Sequence, residues 1–198
     1  NYEEKKGENV LKKIIAEGNI TLTKGKVKAT GKFMTYDVEK KIVLMSGSFQ
    51  TFSSPSGYIE STKVLMFNDT NNKAEAIGKV KLILANKTKI YADNIKADFT
   101  GKAKTLQKAI AKGNVIIENN DQGKKSKADL GIYNSSNETI ELRGNVVIIN
   151  QGSTIIGSQG ITNIKTGTSK ITGNPSKRER VKGVFSPTKK SKKGDKSE

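Results

Sequence analysis

The sequence predicts an all-β fold built from about five repeated pairs of strands. Glycine recurs in similar surroundings at Gly18, Gly47, Gly78, Gly113 and Gly144, which lie 29, 31, 35 and 31 residues apart. Apolar and polar side chains alternate around each glycine, and turn-forming residues separate the segments. Spacings of this size are typical of repeat proteins, in which each unit buries its apolar face against its neighbours.

The alternation around the glycines defines the first strand of each pair. Residues two and four positions before and after each glycine are apolar in nineteen of twenty cases, and Thr51 is the exception. Side chains in a strand alternate between two faces, so this period of two predicts strands with one buried face and one solvated face. Glycine weakens a strand interior, so we expect each one to mark a bulge, a bend or a close backbone approach.

The segments between the glycine strands predict the second strand of each pair. They are rich in Val, Ile, Phe and Tyr and cover residues 27–36, 58–67, 89–99, 127–133 and 153–163. Clusters of Asn, Asp, Ser, Pro and Gly separate them at 53–57, 68–72, 119–123, 134–137 and 150–152, as expected for turns. Helical patterning is nearly absent, and no run of 18 apolar residues predicts a membrane span.

The composition argues against several classes of chemistry. The chain has no cysteine and no histidine, which excludes disulfides, thiolate nucleophiles and the usual transition-metal ligands. The acidic residues form no pair with the spacing of a catalytic site; Asp93 and Asp98, for example, fit solvated strand positions better. We therefore expect no enzymatic activity, no catalytic residues, no metal and no cofactor.

Charge divides the chain into a body and a tail. The formal net charge is +17, and residues 175–198 contribute nine Lys and Arg against three acids. We expect one domain over 1–187 and a disordered Lys-rich tail over 188–198. A basic β-repeat protein can also bind anionic polysaccharide or nucleic acid on its surface, which is one alternative function. The few, scattered aromatic residues offer little base stacking, so nucleic acid is not the expected partner.

Several segments together resemble a known family. They read AKGNV at 111–115, KAD at 127–129, GIY at 131–133 and IELRGNVVI at 140–148, with IYAD at 90–93, NIKTG at 163–167 and RVKGVFSP at 180–187. Their order and spacing resemble the OstA-like domain of the lipopolysaccharide-transport periplasmic protein family, whose members are LptA-like. The resemblance covers roughly residues 14–187.

The resemblance implies a fold, a function and partners. The fold would be an open, V-shaped antiparallel β-jellyroll with an apolar inner face. The protein would bind lipopolysaccharide by its acyl chains in an apolar trough and bridge the inner and outer membranes. It would lie in the periplasm, its signal peptide removed or absent from this sequence. Partners would be lipopolysaccharide and the inner- and outer-membrane components of the export machinery, joined by edge-strand pairing, with head-to-tail homo-oligomers possible.

The trough would be lined by the apolar phase of the glycine strands. The expected lipid-binding residues are Ile20, Leu22, Val80, Leu82, Val115, Ile117, Ile140, Leu142, Val146 and Ile148. An ordinary dry core is the alternative role for such residues. An alternative function within the same fold is that of the membrane-anchored neighbour in the pathway, which begins with a transmembrane helix.

Overall fold

The structure is a computed structural model that describes residues 2–5, 8–119, 123–174 and 179–185, and every regular element in these ranges is a β-strand. The strands are β1 Tyr2–Lys5, β2 Glu8–Leu11, β3 Lys13–Lys24, β4 Val27–Asp37, β5 Ile42–Ser46, β6 Gln50–Ser54, β7 Gly57–Ser61, β8 Val64–Asn68, β9 Lys73–Leu84, β10 Lys89–Thr100, β11 Thr105–Asn119, β12 Lys124–Asn134, β13 Thr139–Asn150, β14 Ser153–Asn163, β15 Ser169–Thr172 and β16 Lys182–Val184. The predicted all-β class and strand repeats are therefore confirmed.

Neighbouring strands in the sheet follow the order of the chain. β1 and β2 form a two-stranded sheet, and the other described strands form one antiparallel sheet. β5 and β6 are two parts of one long strand, as are β7 and β8, because β5 pairs with β8 while β6 pairs with β7. At the far end, β15 and β16 pair with different parts of β14. Each repeat thus adds strands side by side, as its sequence pattern predicts.

The repeated glycines lie at bulges in the middle of the long strands. The pairing register shifts between Glu17 and Ile20, between Lys112 and Val115, and between Arg143 and Val146. Gly113 and Gly144 both have a φ of +75°, a conformation that favours glycine because it has no Cβ. A bulge bends its strand and increases the local twist. The predicted role of the glycines as bulges is therefore confirmed.

The bulges form one line across the sheet, which we call the fold line. It divides the strands into half A, with residues 20–30, 50–61, 80–92, 115–119, 123–128 and 146–157, and half B, with residues 13–17, 33–46, 64–77, 94–112, 130–143 and 159–172. Phe52 of half A stacks on Phe67 of half B with ring centroids 5.4 Å apart. The two halves therefore face each other, as the arms of a V-shaped jellyroll do.

Apolar side chains from both halves form a continuous core. Val80, Leu82 and Val146 come from half A, while Ile140 and Leu142 come from half B, and each is at most 1% exposed. The polar phase of the same strands faces solvent, where Lys112 and Asn114 are exposed. Burial of apolar surface by facing sheets is the main stabilising contribution in such a fold.

The second repeat departs from the predicted alternation. The positions after Gly47 that were expected to face inward are Phe49 and Thr51, yet Phe49 is 51% exposed. Gln50 and Phe52 are buried instead, at 0% and 3% exposure. The break between β5 and β6 spans three residues, which moves the following strand by one position and so exchanges its two faces.

Two further expectations concern the ends of the chain and the membrane. The predicted tail, residues 188–198, lies outside the described residues, as do the last residues of the predicted domain over 1–187. Among the described residues, no helix is long and apolar enough to cross a membrane.

The bulge glycines generate a stability prediction. A Cβ on Gly144 would lie 2.3 Å from Oδ2 of Asp129, whereas a Cβ on Gly101, where φ is +67°, would meet nothing within 4 Å. Gly101→Ala should cost about 1 kcal/mol for the left-handed backbone alone. Gly144→Ala should cost about 3 kcal/mol, because a steric clash is added to the same backbone strain. Urea unfolding of both variants measures the difference, and equal costs would contradict the role given to the bulge.

Candidate functional site

The apolar space between the halves opens into a cavity at the N-terminal end of the sheet. This N-terminal cavity has a volume of about 300 Å³ and lies between β3, β4, β5, β6 and β8. Its apolar lining consists of Ile14, Leu22, Val27, Ala29, Met34, Tyr36, Val43, Phe52 and Phe67, and Thr23, Lys24, Asp69, Lys102 and Lys104 complete it. A concave apolar site with a few polar groups at its rim is typical of a small-ligand site.

An aromatic cluster closes the inner end of the cavity. Phe52 and Phe67 line the cavity, and Phe99 packs against both rings at centroid distances of 5.4 and 6.2 Å. Phe99 is 8% exposed and does not line the cavity. The cluster therefore separates the N-terminal cavity from the closely packed core behind it.

One carboxylate at the rim joins the two halves. Asp69, in the turn after β8, accepts hydrogen bonds from Lys104 at 2.6 Å and from Lys24 at 2.8 Å. Lys24 lies at the end of β3 in half A, while Asp69 and Lys104 lie in turns of half B. The ion pair between Lys24 and Asp69 therefore crosses the mouth of the cavity.

The two lysines that hold Asp69 have different environments. The Lys104 side chain is 9% exposed, donates to Asn72 and lies 5.0 Å from the centroid of the Phe67 ring. The Lys24 side chain is 78% exposed. Hydrogen bonds from Lys104 and Lys24 hold the pKa of Asp69 below its ordinary value, and Asp69 in turn raises the pKa of Lys24. Lys104 is therefore a buried part of the rim, whereas Lys24 is an exposed one.

Contacts between turns and strand ends close the seam between the halves, both at the cavity rim and beyond it. Ser56 of half A donates to the carbonyl oxygen of Lys104 at 3.1 Å and accepts from the Leu106 amide at 2.9 Å. Further along, Lys124 of half A donates to the Gly167 carbonyl oxygen at 2.6 Å. Burial lowers the pKa of Lys124. The seam is held by a small number of polar contacts rather than by continuous strand pairing.

The predicted lipid-binding residues occupy two different environments. Ile20 and Leu22 on β3 are half-buried, and Leu22 lines the N-terminal cavity. The other eight residues lie in the core between the halves, with exposures between 0% and 7%. They are Val80, Leu82, Val115, Ile117, Ile140, Leu142, Val146 and Ile148. All ten therefore lie on the inner side of the jellyroll, in one continuous apolar region.

Sequence reasoning missed most of the lining of the N-terminal cavity. Val27 and Ala29 are separated by two positions on β4 and so alternate as a strand face does, but the predicted trough residues come from the glycine strands alone. Phe52 was missed because the extra residue in the break after Gly47 exchanges the faces of β6. Asp69 and Lys104 come from separate turns, and no local pattern brings them together.

The charged groups at the rim of the cavity are mostly cations. Lys102 is an exposed cation at the rim and has no ion-pair partner in the part of the chain that the structure describes. Over the same residues, no three Asp or Glu side chains are grouped so as to hold a metal ion. The site thus combines an apolar interior with a cationic rim.

The ion pair at the mouth predicts how stability changes with pH. The pKa of Asp69 is lower in the folded protein than in the unfolded chain, so its contribution is complete above the unfolded value of about 3.9 and is lost as pH falls through the folded value. Between pH 5 and pH 2, wild type should lose about 1 kcal/mol more of its free energy of unfolding than Asp69→Asn. Urea titrations at each pH measure this, and parallel losses in both proteins would refute the prediction.

Comparisons with known proteins place this architecture. A family model described as "LptA/(LptD N-terminal domain) LPS transport protein" matches residues 58–168. A solved structure, LptH from Pseudomonas aeruginosa, described as the LptA homologous periplasmic component of the conserved lipopolysaccharide transport device, superposes with a TM-score of 0.54 at 14% identity, covering 75% of this chain and 97% of that one. No curated protein matches the chain. The family model covers more than half of the sequence, so the chain belongs to the LptA/LptD N-terminal domain family of lipopolysaccharide transport proteins.

Proposed function

We propose that this protein carries lipopolysaccharide by its acyl chains between the two halves of the jellyroll and acts in the periplasm as part of a bridge between the inner and outer membranes. The observation that carries the proposal is the continuous apolar interior, which runs from the N-terminal cavity through the packed core. Transfer of an acyl chain from water into such a space is favourable by about 0.8 kcal/mol for each buried CH₂ group.

Access to the interior requires the halves to separate along their seam. The polar contacts at the seam come from Ser56, Lys124 and the Lys24–Asp69 ion pair, whereas the strands within each half are joined by backbone pairing. Exposed ion pairs and single hydrogen bonds each contribute on the order of 1 kcal/mol. The polar contacts are therefore a small part of the cost of opening; the larger part is exposure of the apolar core to water, which an entering acyl chain would offset by covering that surface. The N-terminal cavity is the place where the halves are already apart.

The charged rim supports recognition of the lipid headgroup. The mouth is surrounded by three lysines, Lys24, Lys102 and Lys104, and by one acidic residue, Asp69. A phosphate attached to the acylated part of lipopolysaccharide would meet Lys24 and Lys102 while its acyl chain enters among Leu22 and Val27. Because Lys24 is exposed, exchanging its contact with Asp69 for a phosphate requires little rearrangement of the protein.

The ends of the sheet support the proposed assembly with neighbours. Among the described residues, β3 pairs only with β4, and β15 and β16 form the opposite edge with exposed apolar side chains at Val184 and Phe185. An unpaired edge strand can accept a strand from another chain. Such pairing would join this protein to inner- and outer-membrane components or to further copies of itself, head to tail.

Photo-crosslinking tests whether acyl chains occupy the interior. A diazirine analogue of leucine placed at Leu22, Leu82 or Leu142 should capture lipopolysaccharide, because these side chains face the apolar space. The matched control is the same analogue at Leu44, which is 38% exposed on β5. We expect the inner positions to label about fivefold more strongly. Labelling from Leu44 alone would overturn the proposal.

Charge-neutral variants test the rim. Lys24→Gln combined with Lys102→Gln should weaken binding of dodecyl phosphate, below its micelle concentration, by about tenfold, since both cations that face the phosphate are lost. Lys108→Gln combined with Lys127→Gln, two exposed lysines outside the cavity, changes the net charge equally and should leave affinity within about twofold. Equal losses in the two double variants would assign the effect to net charge instead of to the rim.

A further inference from the structure

The edge strand β3 carries a bulge at Gly18 and Asn19, and among the described residues β3 pairs with a strand on one side only. A Cβ built on Gly18 would meet nothing within 4 Å. The next residue, Asn19, is exposed, and its side chain has no partner among the described residues. The same Gly-Asn sequence occurs at two bulges inside the sheet, at 113–114 and 144–145. The contacts at those two sites show which side chain a Gly-Asn bulge binds when a strand lies beside it.

Both inner Gly-Asn bulges receive an aspartate from the strand that precedes them in the sheet. Asn114 donates from Nδ2 to Oδ2 of Asp93 at 2.8 Å, and Asn145 donates in the same way to Asp129 at 2.9 Å. The carboxylate also fills the space over the glycine, because a Cβ on Gly113 would lie 2.4 Å from Oδ2 of Asp93. The glycine makes room for the carboxylate, and the asparagine binds it.

The two bulge glycines without a following asparagine face a different residue. Gly47 is followed by Ser48, and its nearest neighbour on the preceding strand is Cβ of Lys32, 2.9 Å from the built Cβ position. Gly78 is followed by Lys79 and faces Cγ of Lys63 at 2.5 Å. Within this chain, a bulge glycine followed by asparagine therefore faces an aspartate. A bulge glycine followed by another residue faces a lysine.

The surface beside the edge bulge is also suited to a partner. A shallow groove of about 420 Å³ runs past Gly18, Asn19 and Gly31 to Phe49, whose side chain is 51% exposed. An exposed aromatic ring next to an unpaired strand edge is characteristic of an interaction surface. Gly18 has a φ of +114°, compared with +75° at the inner Gly-Asn bulges, so docking would include an adjustment at this residue.

We propose that the Gly18–Asn19 bulge selects a partner strand that carries an aspartate and fixes its register, with that carboxylate placed over Gly18 and bonded to Asn19. The proposal rests on the edge pairing put forward above and adds the chemistry of the partner strand. The occupant is an extended antiparallel segment with alanine before the aspartate, as in Ala92-Asp93 and Ala128-Asp129. Hydrogen bonds to a charged acceptor are about twice as strong as neutral ones, which makes this pair a suitable register marker.

The inner repeat also predicts which residues would face each other. On β10 and β11, Tyr91 lies opposite Ile116 and Asn94 lies opposite Lys112. Aligning Gly113 with Gly18 places the counterpart of Tyr91 opposite Thr21 and that of Asn94 opposite Glu17. A peptide that copies residues 89–100 is therefore a probe with a defined expected register.

Disulfide trapping tests this register. The chain has no cysteine, so Thr21→Cys provides a single thiol on β3. The full chain with this substitution is mixed, in a redox buffer, with a peptide of residues 89–100 carrying Tyr91→Cys or, as a register control, Lys89→Cys. Directly opposite residues can approach disulfide distance, whereas residues two positions apart cannot. We expect the Tyr91→Cys peptide to be trapped about fivefold more than the control.

A second substitution tests the aspartate itself. Asp93→Lys in the trapped peptide copies the residue type found at Lys32 and Lys63, and it should lower trapping about fivefold. The same peptide change should have little effect when the protein carries Asn19→Leu, because the two substitutions remove one interaction.

Equal trapping of the aspartate and lysine peptides by wild-type Asn19 would overturn the register rule while leaving edge pairing intact. Absence of trapping with every peptide would overturn both, and lipid labelling at Leu22 would still decide lipid binding separately.

Discussion

The architecture depends on the backbone conformation at the mid-strand bulges. Each bulge bends its strand at the same level of the sheet, and the bends together turn one long antiparallel sheet into two facing halves. At the inner Gly-Asn sites, an aspartate from the preceding strand occupies the space that a side chain would need and bonds to the asparagine. The apolar interior exists because these bends bring the apolar faces of both halves of the long strands to the inner side.

The interior and the rim follow from different parts of the chain. Long strands supply the apolar side chains of both halves, and the end of β3 supplies Lys24. Turns supply Asp69 and Lys104 at the mouth and Ser56 at the seam. Strand pairing is cooperative and continuous, whereas the turn contacts are few and polar. The frame of the jellyroll therefore rests on strand pairing, and the mouth and the seam rest on contacts made by turns and strand ends.

The repeats, the strand positions and the bulging glycines were all predictable, because period-two alternation and regular glycine spacing are local signals. The exchange of faces after Gly47 was not, since three residues leave the ladder there, whereas two do so at the bulges of Gly18, Gly113 and Gly144. Nor was the rim predictable: Asp69 and Lys104 meet only because two turns of half B lie side by side. Of the ten predicted trough residues, Leu22 lines the open cavity and Ile20 is half-buried like it. Burial by facing strands, which alternation does not measure, distinguishes these two from the other eight.

Because every repeat carries its own bend, the length of the interior is proportional to the number of repeats. Adding one strand pair lengthens the interior by about 9.6 Å, two strand spacings, without altering the bend angle or the width between the halves. The distance that a single molecule spans is therefore set by repeat number, and the chemistry at its ends is free to diverge.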